Sequence, residues 1–113
     1  MAEGIAPSHR RPKTFKARIL SLFLLWRLQQ PRHGYLLVRD VQSLVVTPVR
    51  SSTVYAILAR LERIGYIKAS YDRKSAHVRK LYRTTASGAA LLQKVREKHS
   101  NSLLREFMRD LVG

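Results

Sequence analysis

The chain has no cysteine among its 113 residues, which excludes a disulfide framework and a cysteine-based zinc site. Its four histidines, His9, His33, His77 and His99, are spaced too widely for a local ligand motif. Neither a metal nor another cofactor is expected. Acidic residues are scarce, and no pair of them clusters for acid-base work. No glycine-rich loop is built to cradle a phosphate, and no nucleophile has a base beside it, which argues against an enzyme. Long apolar runs are also missing. Ile19 to Trp26 follows a basic start as a signal-peptide core would, yet no small-residue cleavage site follows. Arg27 interrupts the run far short of membrane-spanning length. No membrane partner is expected, and the location expected is cytoplasmic.

What remains is positive charge. Lys and Arg number 22 against seven Asp and Glu, a formal charge of +15. That is strong self-repulsion for a small chain unless a polyanion sits against it, and nucleic acid is the expected partner. The length suits one domain with a real core.

The most informative stretch is Arg50 to Tyr71. Val54, Ile57, Leu58, Leu61 and Ile64 recur at the spacing of an amphipathic helix, with Ser51 or Ser52 available as a cap. Gly65 can end that helix in a left-handed conformation, and Ile67, Ala69 and Tyr71 then alternate as in a half-buried strand. The opposite helix face carries Ser52, Tyr55, Ala56, Ala59 and Arg63, flanked by Thr53 and Arg60. Short, hydroxylated and cationic side chains let a helix enter the DNA major groove, although an ordinary surface helix could also carry them.

Around it, residues 1–14 lack periodicity and carry Arg10, Arg11 and Lys13, which reads as a flexible basic arm. Phe15 to Gln29 reads as a helix apolar on most sides, buried on more than one face, with Phe23 and Trp26 as core or subunit-interface residues. Pro31 to Tyr35 is a turn in which His33 makes a turn hydrogen bond, and Tyr35 to Val41 is a short helix. The loop Gln42 to Arg50 then leads into the capped helix, the order of a helix-turn-helix. Strands at 66–71 and 77–84 make a hairpin with Arg73, Lys74, Arg79, Lys80 and Arg83 at its tip and on its second strand. These cations either protect a sheet edge or meet phosphates. Thr85 can cap one long helix from Ala86 to about Leu111, with Leu91, Leu92, Val95, Leu103, Phe107 and Leu111 in a stripe. At about 25 residues and ~38 Å this helix exceeds what a small core needs, which points to a partner along it.

With these elements in place, the sequence resembles the PadR family of winged-helix transcriptional regulators over roughly residues 16–111. The Pro-x-His-Gly-Tyr turn is met at Pro31 to Tyr35. The recognition-helix pattern is met at Thr53, Tyr55, Leu58, Leu61 and Glu62, and the hairpin ending at Arg79, Lys80, Tyr82, Thr85 and Gly88. Ala56 stands where the family usually has Pro, Ser52 where it often has Gly, and Leu81 where an aromatic is common. The resemblance implies a homodimeric repressor, in some relatives released by a small aromatic or drug-like effector bound between subunits.

The expected fold is therefore mainly α with a small β-hairpin (α+β): a winged helix-turn-helix at 15–85, a basic arm at 1–14 before it and a dimerisation helix at 86–113 after it. The expected function is sequence-specific binding of double-stranded DNA, with nucleoid association when bound. The expected contacts are Arg50, Ser51, Ser52, Thr53, Tyr55, Ala56, Ala59 and Arg63 of the helix and Arg73, Lys74, His77, Arg79 and Lys80 of the wing. Phe23, Trp26, Leu91, Val95, Leu103, Phe107 and Leu111 are the expected homodimer interface. The competing expectation is an architectural protein that coats DNA without sequence preference, which the charge would equally support.

Overall fold

The computed structural model describes residues 14–74, 78–99 and 103–112. Helix α1 (Phe15–Arg27) begins where the Thr14 side chain accepts a hydrogen bond from the Ala17 amide at 3.0 Å, so Thr14 belongs to the helix and not to a free arm. Its Leu20, Leu24 and Leu25 are buried, and Leu28 just after its end is buried with them. Strand β1 (Arg32–His33) and helix α2 (Gly34–Leu44) follow, then α3 (Ser51–Ile64), β2 (Ile67–Asp72), β3 (Arg79–Thr84), α4 (Ala86–Lys98) and α5 (Leu103–Val112). Arg10, Arg11, Lys13 and His77 lie outside the described residues.

The core lies where α1, α2 and α3 meet the inner face of the sheet. Leu37 and Val41 from α2 join Val54, Leu58 and Leu61 from α3 and Ile67 and Tyr82 from the sheet, each buried. These are the positions at which the apolar residues of α3 recur, so burial of that stripe fixes how α3 rotates about its axis. Gly65 adopts φ 95°, a conformation that costs a residue with a Cβ, and the Tyr66 amide then reaches back to the Leu61 carbonyl at 2.9 Å. The chain thereby leaves α3 and enters β2 within two residues.

The sheet is antiparallel in the order β1-β3-β2. Ala69 opposite Tyr82 and Ile67 opposite Thr84 face the core, while Asp72 opposite Arg79 and Lys68 opposite Arg83 face outward. Thr84 fastens β3 to α1: its amide donates to the Leu28 carbonyl at 2.8 Å and its hydroxyl to the Leu25 carbonyl at 2.7 Å. Thr85 caps α4 and donates its own hydroxyl to the Gly65 carbonyl at 2.7 Å. Gly88 lets the first turn of α4 cross the backbone of Tyr66, since a Cβ there would lie 2.2 Å from the Tyr66 carbonyl oxygen.

Four further expectations about the secondary-structure elements need correction. Where the sequence suggests only a turn, the two-residue strand β1 forms, because β3 offers Arg32 and His33 a free edge. Helix α2 starts at Gly34 and runs to Leu44, beyond the expected Val41. Neither Ser51 nor Ser52 caps α3: the N-cap is Arg50, held extended beside buried Val49, and no side chain bonds there. The single terminal helix is two helices, with α4 closing at His99 and α5 starting at Leu103. Arg96 and Lys98 suit the carbonyl end of a helix.

Candidate nucleic-acid interface

The outer face of α3 is open. Burial of Val54, Ile57, Leu58 and Leu61 turns Ser51, Ser52, Thr53, Tyr55, Ala56, Ala59 and Arg63 to solvent, and Arg50 at the N-cap is exposed with them. Eight of the expected contact residues therefore share one continuous surface without an acidic side chain. Glu62 is half-buried to one side, where its carboxylate accepts from Lys80 Nζ at 3.2 Å.

Arg60 leaves that face. Its guanidinium donates to Ser21 Oγ at 3.1 Å, tying α3 to α1. Burial, and then repulsion from Arg63, push its pKa below the usual arginine value. Its charge is committed to the fold.

The wing splits its cations in the same way. Arg73 and Lys74 are exposed at the end of β2, where the Lys74 amide donates to Asp72 Oδ1 at 3.0 Å. Arg79 and Arg83 are on the outer face of β3. Lys80 points inward, 5.3 Å from the Tyr82 ring centroid and paired with Glu62. Burial alone would depress its pKa, but the Glu62 hydrogen bond raises it overall. Tyr82 is displaced upward by burial.

A group that the sequence does not flag joins the wing to the start of α2. Arg79 donates to the Tyr35 hydroxyl at 2.8 Å and lies 5.0 Å from the centroid of that ring. Tyr35 in turn stacks on His33 at 5.9 Å, and His33 Nε2 stands 3.4 Å from Asp72 Oδ2. His33 thus bonds toward the wing and not within its turn. Behind this group Arg27 and Arg32 both donate to Asp40, at 2.9 and 2.6 Å, locking α1, β1 and α2 together. Burial opposes ionisation of Asp40, yet the hydrogen bonds from Arg32 and Arg27 outweigh it and hold the carboxyl below its usual range. Among the described residues no group of His, Asp and Glu could hold a metal ion.

These elements are those of a winged helix-turn-helix, and the family comparison decides which kind. The sequence model of the transcriptional regulator PadR-like family matches residues 22–94. The chain belongs to the PadR-like family. Members of that family are DNA-binding transcriptional regulators and not enzymes. A PadR-family regulator from Eggerthella lenta DSM 2243 is similar at 29% identity over 82% of this chain and 80% of its own, with a TM-score of 0.64. A PadR-family regulator from Clostridium difficile R20291 matches at 22% identity over 83% and 98% of the two chains, with a TM-score of 0.66. One from Bacillus cereus ATCC 14579 matches at 21% identity over 83% and 91%, with a TM-score of 0.67. At these identities the last two bear on the fold alone. Comparison with curated proteins gives no match.

Beyond the PadR-like core, α5 presents Leu103, Leu104, Phe107, Met108 and Leu111 to solvent. On α1, Trp26 is 53% exposed and lies 5.8 Å from the Phe23 ring, while Phe23 and Leu91 pack partly against the core of their own chain. Val95 is half-buried on α4. The expected interface residues therefore divide between an intrachain α1 and α4 contact and an open α5 face. Among the described residues no helix is long and apolar enough to cross a membrane.

Proposed function

We propose that this PadR-like regulator is a homodimeric, sequence-specific repressor that inserts α3 into the major groove of double-stranded DNA. One observation carries the reading: the acid-free outer face of α3, short at Ser52, Ala56 and Ala59 and cationic at its ends, is exposed along its whole length. Ala side chains let a helix approach base edges closely, and hydroxyls at its first turn can bond to them. Ser52 and Thr53 read bases in this arrangement, and Arg63, nearly three turns on, reaches a backbone phosphate.

The wing supplies affinity more than sequence choice, because Arg73 and Lys74 meet phosphates that are alike at every base pair. The winged domain, which begins with the Thr14 cap and runs to residue 85, and the dimerising segment at 86–113 divide the work. Dimerisation is supported by α5, whose apolar face has no cover within the described chain. By resemblance to some relatives alone, an effector of the small aromatic class would enter between the subunits.

Selection of bound fragments from a random duplex pool tests this reading. An enriched inverted repeat, with half-sites about one helical turn apart, is expected. Equal recovery of all sequences would instead favour an architectural protein that coats DNA. Arg73→Ala with Lys74→Ala should weaken selected and scrambled duplexes alike and reduce the salt slope by about 0.9 for each phosphate that is no longer neutralised.

A further inference from the structure

The start of α2, the flank of α3 and the wing enclose an open pocket of about 440 Å³, on which three of the expected contact residues, Tyr55, Arg79 and Lys80, converge. Its walls carry the Arg79 guanidinium, the Lys80 ammonium and the ring and hydroxyl of Tyr35 and Tyr55, with His33 at one side and Gly34 beneath. Among the described residues no carboxylate lines it, and the nearest acids stand behind lining residues: Asp72 lies 3.4 Å from His33 Nε2 and opposite Arg79 in the sheet. Glu62 stands behind Lys80 and offsets part of that charge, so Arg79 supplies most of what faces the opening. Tyr35 and Tyr55 are 44% and 41% exposed, so each ring is held on one side and open on the other.

The pocket exists because Gly34 lacks a side chain. A Cβ there would come within 2.8 Å of Tyr55 Cε1 and 3.3 Å of the Tyr55 hydroxyl. Tyr55 can therefore lie across the beginning of α2, where the N-cap residue His33 makes no side-chain capping bond. His33 Nδ1 is buried and has no hydrogen-bond partner among the described residues. Two cationic groups and two hydroxyls around one opening, with no acid among the described lining residues, match a tetrahedral oxyanion.

We propose that this pocket seats one backbone phosphate of duplex DNA, gripped by Arg79 and by the hydroxyls of Tyr35 and Tyr55. The proposal rests on the DNA-binding reading above and deepens it. Tyr55, placed on the groove face by sequence pattern, becomes a phosphate ligand, and the His33-Gly34-Tyr35 turn becomes part of the interface. Duplex phosphate is favoured over a free anion because Tyr55 belongs to α3 itself. A strand running along the edge of α3 would pass over the pocket mouth, bringing its phosphates to the wing without a separate binding event.

A duplex selected by the protein, carrying a neutral methylphosphonate at one linkage at a time, tests the proposal against wild type, Arg79→Gln and Tyr35→Phe. At one linkage in each half-site, neutralisation should weaken wild-type binding roughly tenfold, the scale of one charged hydrogen bond. The same change should cost Arg79→Gln almost nothing further, and Tyr35→Phe should show a reduced penalty there and the full wild-type penalty elsewhere. Independent, additive penalties at every linkage would overturn the proposal. Thermal unfolding establishes that the variants fold, and Tyr35→Phe, which keeps the ring, carries the test should Arg79→Gln unfold. Inorganic phosphate, titrated without DNA at constant ionic strength, addresses the other source. Saturable binding abolished by Arg79→Gln, with no linkage coupling on DNA, would make this a free-anion site and overturn the assignment to duplex. Failure of the wild-type protein to bind any duplex would instead remove the DNA-binding reading, and the proposal with it.

Discussion

Helices α3 and α5 are both amphipathic, yet one is a buried wall and the other an open one. In α3 the apolar residues Val54, Ile57, Leu58 and Leu61 are no more than 7% exposed, and the polar face is displayed. In α5 the apolar residues Leu103, Phe107 and Leu111 are at least 57% exposed. Amphipathic periodicity alone thus says that a face will be covered, while the covering element depends on topology. Helix α3 is enclosed because α1, α2 and the sheet surround it. Helix α5 follows α4, which packs against α1, and among the described residues nothing covers the apolar face of α5.

The contrast breaks most visibly under truncation of each stripe. Leu58→Ala should destabilise the fold by about 2–5 kcal/mol, as deletion of a buried leucine side chain does. Leu103→Ala should change the stability of the dilute chain by less than about 0.5 kcal/mol, as exposed substitutions do. Chemical denaturation at low protein concentration measures both, and equal losses would erase the distinction. Asp at both Leu103 and Phe107 should leave the fold intact and give monomers in analytical ultracentrifugation. An unchanged assembly mass would place the interface elsewhere.

A smaller effect tests how the junction before α4 is built. Gly88→Ala should cost roughly 1–3 kcal/mol, because the added methyl meets the Tyr66 backbone and Thr84 with little room to yield. A melting temperature equal to wild type would mean that this crossing relaxes freely.

Much of this contrast is legible in the sequence, and the failures have physical reasons. The buried stripe of α3, the left-handed Gly65 and the Thr85 cap follow from spacing and residue type alone. The terminal segment reads as one helix because its apolar residues keep a helical rhythm across the polar gap, a rhythm that cannot reveal where hydrogen bonding stops. The roles of Arg60, Lys80 and Tyr35 are hidden because each depends on a partner distant in sequence: Ser21, Glu62 and Arg79. His33 looks like a turn residue for the same reason, since Asp72 reaches it only once the wing has folded.

A pH-dependent effect concerns the Asp40 anchor that ties α2 to α1 and β1. Because the Asp40 pKa is lowered by its arginine partners, its contribution to stability is complete above the unfolded-state value of about 4. That contribution is lost as pH falls through the lower folded-state value. Asp40→Asn should therefore be less stable than wild type near neutral pH, and the gap should narrow as the solution is acidified below about pH 4. A gap independent of pH would mean that the arginines do not stabilise the carboxylate. Variants of α5 should leave this profile unchanged.

The central claim is that the open face of α3 meets DNA, and Ala59→Glu tests it most directly. The substitution places bulk and negative charge in the middle of that face without touching the buried stripe. Binding of the folded variant is measured on selected and scrambled duplexes at one fixed salt concentration. The account predicts loss of binding to both, with the larger loss on the selected site, where close approach to base edges is worth about 1–3 kcal/mol per good contact. If the variant binds both duplexes as well as wild type does, this face does not lie against DNA.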